Sequence, residues 1–431
     1  MKVIPLTLLG ATLLAGCNSA ATSSAAETKA TSAATLLTPG PWRGELAIQG
    51  QQLPFLFEVK TEGGKPVVYL INKGLNGEER LRCDEISAAG DSATIKLHVF
   101  DAALVVRADG QGKLKGAWVK YDAKTPYRVP LVAAASPAEL YPLREEDGFG
   151  KLSGTWRTEF KGDDNKPYPA VGIFQSATSK KPVSGIINGT FLTTTGDYRY
   201  LHGHNAGDKL AMSTFDGGHA FLFTAQKQPN GTLKGDFYSG KSGHETWTAT
   251  LDPKAKLPDA DTLTYLKKGE SRLSFKFPSV LAGGSVSPTD PKYRGKVVVI
   301  QLLGSWCPNC MDETAYLAPW YKKNKARGIE VIGLGYERMP EYDKASARLR
   351  KLKDRYNIGY DLAVAGISNK DSVAKSLPQL AKFLAFPTTI FLDKKGAVRS
   401  IHTGFSGPGT GKYYAEETAG FNRTVDKLLK E

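Results

Sequence analysis

Two cysteines stand one helical turn apart in Trp306-Cys307-Pro308-Asn309-Cys310. A Cys-x-x-Cys pair can exchange disulfides, or it can hold a metal when two further ligands are supplied. No second Cys-x-x-Cys exists in the chain, and the segment before the pair favours exchange. Lys296-Val-Val-Val-Ile-Gln-Leu-Leu303 is apolar and β-branched and predicts a buried strand. A strand that feeds a Cys-x-x-Cys at the start of a helix suits thiol-disulfide exchange. Cys307 would then sit where unpaired backbone N–H groups and the helix dipole stabilise a thiolate, which makes it the expected nucleophile. Cys310, one turn further in, would resolve the mixed disulfide. Pro308 suits the first helical position, where its missing N–H costs nothing.

The elements that must position this pair are read from about Ser271 onward. Leu273–Pro278 and the turn at Gly283-Gly284 predict a leading hairpin. After the strand ending at Leu303, the pattern of Met311, Ala315, Leu317 and Trp320 predicts a helix that Gly328 ends. Ile329–Gly335 is the next strand. Pro340–Tyr356 is an amphipathic helix and Ser376–Leu384 a further helical patch. Phe386-Pro387-Thr388-Thr389-Ile390-Phe391-Leu392-Asp393 reads as a strand entered through a proline. It turns at Lys394-Lys395-Gly396 into Ala397–Thr403, and a last helix runs from about Tyr413 to Lys430. Strands alternating with helices indicate a layered α/β domain.

The order Gly295-Lys-Val-Val-Val, Trp306-Cys-x-x-Cys310, Glu313 and Phe386-Pro387-Thr388-Thr389 resembles the TlpA/ResA-like, membrane-associated thioredoxin-fold oxidoreductases. The resemblance covers residues 271–431. It implies a thioredoxin-like fold, a redox centre with no metal or organic cofactor, disulfide-containing protein substrates and a membrane thiol donor. It implies that Pro387 is a cis-proline facing the Cys pair, with Phe386 and Trp306 shaping the substrate groove. It also places Glu313 at the family's acidic position, where a carboxylate can exchange a proton with Cys310. Two departures stand out. Thioredoxin has a buried Asp six positions before its first Cys, and Gln301 stands there in this chain. The family often has Pro two residues after the acidic residue. Here that residue is Ala315, and Pro319 comes later. A thiol peroxidase of the same fold would need Pro and Thr where Ile300 and Gly304 stand.

The remaining cysteines and the N-terminus bear on location. Lys2, the apolar stretch Val3–Leu14 and Leu14-Ala15-Gly16-Cys17 resemble a bacterial lipoprotein signal, with cleavage before a lipidated Cys17. Asn18 after that Cys resembles outer-membrane rather than inner-membrane sorting in a Gram-negative host. The Ser-, Ala- and Thr-rich segment up to Gly40 reads as a flexible tether. Cys83 is left alone, and a small buried residue is its simplest role. The formal charge of +14 is spread along the chain without a basic helix. That argues for a solvated surface and against nucleic acid as a partner.

Residues from about 40 to 255 repeat themselves. Gly40-Pro41-Trp42-Arg43 returns as Gly154-Thr155-Trp156-Arg157, Ile71-Asn72 as Ile187-Asn188, and Leu114-Lys115-Gly116 as Leu233-Lys234-Gly235. Both copies carry short alternating or β-branched runs broken by Gly-rich turns, which predicts sandwiches or barrels, with Trp42 and Trp156 in their cores. Four of the six histidines, His202, His204, His219 and His244, fall in the second copy. They read as exposed turn histidines rather than metal ligands, because no acidic or Cys partner has ligand spacing.

The sequence therefore predicts a signal peptide at 1–16, a lipidated Cys and tether at 17–40, and β repeats at 41–135 and 150–255. A thioredoxin-like α/β domain follows at 271–431. The expected function is an envelope-exposed thiol-disulfide oxidoreductase that reduces exported proteins through Cys307 and Cys310. The alternative is a lipid-anchored surface protein whose β repeats bind a glycan or protein, with an accessory redox domain.

Overall fold

The computed structural model describes residues 36–431 apart from 123–124, 137–138, 142–151, 163–164, 177–184 and 282. The predicted signal and Cys17 lie outside the described residues. Among those described, no helix is long and apolar enough to cross a membrane.

The first repeat is a nine-stranded antiparallel sheet. Its strands are β1 (Gly40–Ile48), β2 (Gln51–Glu62), β3 (Lys65–Gly74), β4 (Gly77–Cys83), β5 (Ile86–Ala89), β6 (Ser92–Lys96), β7 (Ala102–Ala108), β8 (Lys113–Lys120) and β9 (Tyr127–Ala135). Their spatial order is β4-β3-β2-β1-β9-β8-β7-β6-β5. The second repeat has β10 (Gly154–Lys161), β11 (Pro167–Ser176), β12 (Ile186–Thr193), β13 (Gly196–Asp197), β14 (Leu201–Ala206), β15 (Lys209–Phe215), β16 (Ala220–Lys227), β17 (Leu233–Ser239) and β18 (Gly243–Leu251). Strand for strand, the order is the same. In the second copy, however, β12 pairs with both β11 and β14, which closes an eight-stranded barrel. The first copy stays open as a half-barrel.

The two repeated tryptophans do the same work. Trp42 Nε1 donates to Thr38 O and Trp156 Nε1 to Leu152 O, each at 3.0 Å and four residues back. Both indoles are buried. Burial with the indole N–H satisfied is what makes Trp a stable core plug.

The open side of the half-barrel is covered by the barrel. Phe215, at the end of β15, packs its ring 4.6 Å from Phe55 and 5.4 Å from Trp118. Asn72 Oδ1 on β3 accepts from Thr214 Oγ1 at 3.1 Å and from Phe215 N at 3.2 Å. Asn72 is the first-copy member of the repeated Ile-Asn pair, so one repeat element has become the dock for the other copy.

The C-terminal domain has a five-stranded sheet of β19 (Val297–Leu303), β20 (Ile329–Glu337), β21 (Asp361–Ile367), β22 (Thr388–Leu392) and β23 (Val398–Thr403), in the order β21-β20-β19-β22-β23. The first three are parallel, and β22 and β23 run antiparallel. Helices α1 (Pro308–Asn324), α2 (Tyr342–Tyr356), α3 (Lys370–Ser376) and α4 (Lys412–Lys430) complete the domain. This is the thioredoxin-like layering expected from the alternation of strands and helices. Every residue of β19 is buried, as a central strand covered on both faces requires.

Two local expectations differ. The helical patch lies at Lys370–Ser376, not Ser376–Leu384. Asn369 caps it by accepting from Ser372 N at 2.7 Å. Leu377, which precedes Pro378, is pushed out of the helical region. Leu380–Lys382 is instead a short strand paired with Tyr265–Leu266. Strand β21 has no counterpart in the expected elements, because Asp361-Leu-Ala-Val-Ala-Gly-Ile is short and carries little β-branching.

The β repeats rest directly on the α/β domain. Leu97, Phe100 and Phe215 share one continuous apolar core with Cys307, Met311 and Leu317. Around its rim, α2 pairs with the half-barrel through Arg355–Asp84 at 2.7 Å, Lys351–Glu85 at 2.6 Å and Arg348–Asp101. Exposed pairs of this kind contribute only about 0–1 kcal/mol each. The apolar core holds the parts together, and the ion pairs set their register.

Candidate active site

The site is built at the C-terminal end of β19. Gly304 must be glycine, because a Cβ there would lie 2.2 Å from Trp306 Nε1. The bare backbone lets the indole fold back and donate to Tyr336 O at 2.9 Å. Next to it, Glu337 at the end of β20 accepts from Ser305 N at 2.8 Å and Ser305 Oγ at 2.7 Å. Burial pushes this carboxyl above its usual range, although the Ser305 bonds pull the other way. The carboxylate thus fixes the loop that delivers the Cys pair.

Cys307 is the N-cap of α1 and Pro308 its first residue. The Cys307 sulfur lies 3.2 Å from Cys310 N, and the two cysteines form a disulfide with Cα atoms 5.2 Å apart. Cys307 is 6 % exposed and Cys310 is fully buried. This asymmetry fits an attacking outer thiol and a resolving inner one. The Phe386–Pro387 peptide bond is cis, and Phe386 O lies 3.9 Å from Cys307 Sγ. Phe386 meets Trp306 edge-on at 5.8 Å, which ties the two residues on either side of the Cys307 sulfur contact together.

Glu313 lies one turn beyond Cys310 and is buried. Its carboxylate accepts from Gln301 Nε2 at 2.7 Å and from Thr389 Oγ1. Burial pushes it up to about 7, against the pull of those two bonds. Gln301, which stands where thioredoxin has its acid, therefore orients Glu313 instead of serving as a base. Glu313 and Thr389 also line a cavity of about 400 Å³ between β22, β23 and α4. His402 sits in the same cavity, 2.7 Å from an Asp261 oxygen and 2.8 Å from a Glu417 oxygen. Burial disfavours its charge, but these two carboxylates push the imidazole up to about 10, so it stays a cation.

The structure thus brings Trp306, Cys307, Cys310, Glu313, Phe386 and Pro387 into one neighbourhood. It also adds residues that carried no local signal. Arg338 places its guanidinium 4.8 Å from the Trp306 ring centre and pairs with Asp122 of the half-barrel at 2.7 Å. Arg199, from the barrel, is buried and donates to both Asp312 oxygens at 2.7 Å. It also reaches Asp216 at 3.1 Å and Glu79 at 2.5 Å, so a single guanidinium ties both repeats to α1. Burial pushes Glu79 up to about 7 despite Arg199.

The second-copy histidines are not the exposed turn residues expected. His202, His204 and His244 lie on strands. His202 Nδ1 is 2.6 Å from Asn188 Oδ1, His204 stacks on Tyr141 at 5.3 Å, and His244 Nε2 is 2.9 Å from Asp236. Only His219 sits in a turn, and it is half-buried. Among the described residues, no group of three or more His, Cys, Asp or Glu is placed to hold a metal. Cys83 is buried, and burial pushes its thiol up to about 12.

A family model described as Redoxin matches residues 267–416. That segment is a redoxin domain. The thiol-disulfide oxidoreductase ResA of Geobacillus kaustophilus is 27% identical over 112 residues, covering 26% of this chain and 57% of that protein. The thiol:disulfide interchange protein DsbE of Escherichia coli is 27% identical over 172 residues, covering 37% of this chain and 80% of that protein. The chain thus spans a little over half the length of the ResA protein it matches. A thioredoxin-family thiol:disulfide interchange protein from Chlorobium tepidum superposes with a TM-score of 0.28 at 18% identity, over 38% of this chain and 98% of that one. The fold of the redoxin domain is read from its own strand order.

Proposed function

We propose that this protein is a thiol-disulfide oxidoreductase that reduces disulfides in other proteins of the cell envelope. The observation that carries the proposal is the Cys307–Cys310 disulfide at the start of α1, with Cys307 Sγ 3.9 Å from Phe386 O. The ResA and DsbE relatives, named for thiol-disulfide chemistry, support it.

In the dithiol state the Cys307 thiolate attacks one sulfur of a substrate disulfide. A Cys307–substrate bond forms, the substrate S–S bond breaks and the second substrate sulfur leaves as a thiolate. Cys310 passes its proton to the Glu313 carboxylate and attacks Cys307 Sγ. The Cys307–Cys310 disulfide forms and the first substrate sulfur leaves. Two electrons have moved to the substrate; the Cys310 proton passes from Glu313 to one substrate sulfur, and the other substrate thiolate takes its proton from water. No metal or organic cofactor enters this scheme. A membrane thiol donor then reduces the pair again. Anchoring through a lipidated Cys17 is supported by the Leu14-Ala15-Gly16-Cys17 signal.

The test is dithiothreitol-driven reduction of a peptide disulfide by the full chain. Catalysis above the uncatalysed rate is expected, and Cys307→Ser should abolish it. A variant that retains wild-type activity would sink the proposal.

A further inference from the structure

In the redoxin domain the tip of α1 is the surface a substrate must approach, and here two other parts of the chain press against it. Asn309 Nδ2 donates to Asp197 O of the barrel at 3.0 Å. Gly196 lies so close that a Cβ on it would be 3.0 Å from the same nitrogen. A Cβ on Gly218 would lie 3.3 Å from the Pro308 ring, and Pro308 is buried. The half-barrel holds this Gly218 turn in place. Lys120 Nζ donates to Gly218 O at 2.7 Å and Trp118 Nε1 to Gly217 O at 3.2 Å. Asp216 caps the turn from within by accepting from Gly218 N and His219 N. On the other flank, a Cβ on Gly404, which donates to Pro387 O at 2.9 Å, would be 3.3 Å from Gly196 N.

These contacts set glycine backbone of the barrel directly against residues of α1 and the loop after β23, and they continue an apolar core. Arg199 adds a bidentate grip on Asp312, two residues beyond Cys310. Such geometry describes a fixed wall rather than a loose neighbour. Arg338, set over the Trp306 ring, pairs with Asp122 of the half-barrel and so joins the two parts beside the Cys pair.

We propose that the β repeats form the far wall of the substrate slot over Cys307, so that a disulfide reaches this thiol only on an extended segment that also touches residues near Asp122, Asp197 and Gly218. The inference rests on the exchange chemistry proposed above and gives the β repeats their role: they select extended or unfolded chains over disulfides lying on a folded surface. The thiolate must attack in the slot, and a folded body cannot follow its disulfide in.

The test uses the full chain with Cys310→Ser, which cannot resolve a mixed disulfide. It is reacted with an extended peptide carrying one activated disulfide and a photo-crosslinker three residues away. The expected result is a mixed disulfide at Cys307 with most crosslinks at residues 120–122, 195–199 or 216–219. Crosslinks confined to 271–431 overturn the inference. Failure to form any mixed disulfide refutes the exchange chemistry itself. In a second arm, wild type should reduce the extended peptide at least tenfold faster than a disulfide on a folded protein. Arg199→Lys keeps the charge but loses the planar fork, and should narrow that ratio severalfold. Equal wild-type rates for the two substrates would also overturn the inference.

Discussion

Replacing Glu313 by Gln tests the proton step most directly. The wild-type carboxyl, buried and held by Gln301 and Thr389, titrates at about 7. At pH 7 it is about half ionised and half of the molecules carry the base. Without it, Cys310 must ionise unaided, and an ordinary thiol with a pKa of about 8.5 is roughly 3% thiolate at pH 7. The ratio of these occupancies, taken for an exposed thiol, sets a loss of at least about fifteenfold at pH 7 that shrinks as pH rises. The midpoint of the pH–rate profile should move upward from about 7 once the carboxylate is gone. The assay is stopped-flow tryptophan fluorescence on mixing reduced protein with a peptide disulfide between pH 5.5 and 9. A midpoint that stays near 7 in Glu313→Gln, or an equal loss at every pH, would refute the assignment.

The same group makes a stability prediction with a definite sign. Its folded value is raised from 4.5 to about 7, so the folded state binds the extra proton between those values. The stability contributed by the protonated form is complete below pH 4.5 and is lost as pH rises through 7. The loss amounts to about 3 kcal/mol at 1.36 kcal/mol per pH unit. Urea unfolding of wild type and Glu313→Gln at pH 5 and pH 8 should show a fall in both, because Glu79 and Asp197 are also pushed up to about 7, but a fall smaller by about 2–3 kcal/mol in Glu313→Gln.

Other perturbations have sharp expectations. Arg199→Met leaves Asp312, Asp216 and Glu79 without their shared cation and should cost about 3–5 kcal/mol by denaturant unfolding. Part of that loss should be recovered as pH falls, because Glu79, already pushed up by burial and no longer held down by Arg199, takes up a proton. Phe215→Ala removes the ring packed on Phe55 and Trp118 and should cost about 3–5 kcal/mol. Cys83, with its thiol pushed up by burial, should resist alkylation in the native protein and react fully once unfolded, as mass spectrometry can follow.

The sequence by itself determined the parts whose chemistry is local. An apolar strand followed by Cys-x-x-Cys and Pro308 specifies a strand, a cap and a helix start, because each depends on neighbours within a turn. The duplication was legible because Trp42 and Trp156 recur with their turns. That Phe386-Pro387 and Glu313 share one neighbourhood with the Cys pair was implied by the resemblance these motifs carry, not by their spacing. Tertiary structure decided the rest. Whether a nine-strand repeat closes depends on whether β14 returns to β12, and no residue pattern states that. Gln301 stood where thioredoxin has an acid, and only its 2.7 Å bond to Glu313 shows it holding a buried carboxylate instead. Arg199 and Asp312 are 113 residues apart, so their pairing could not be read from spacing. The sequence said nothing of what lies against the tip of α1. Burial against Gly196 and Gly218 exists only after three chain regions meet, because close packing is a property of surfaces and not of segments.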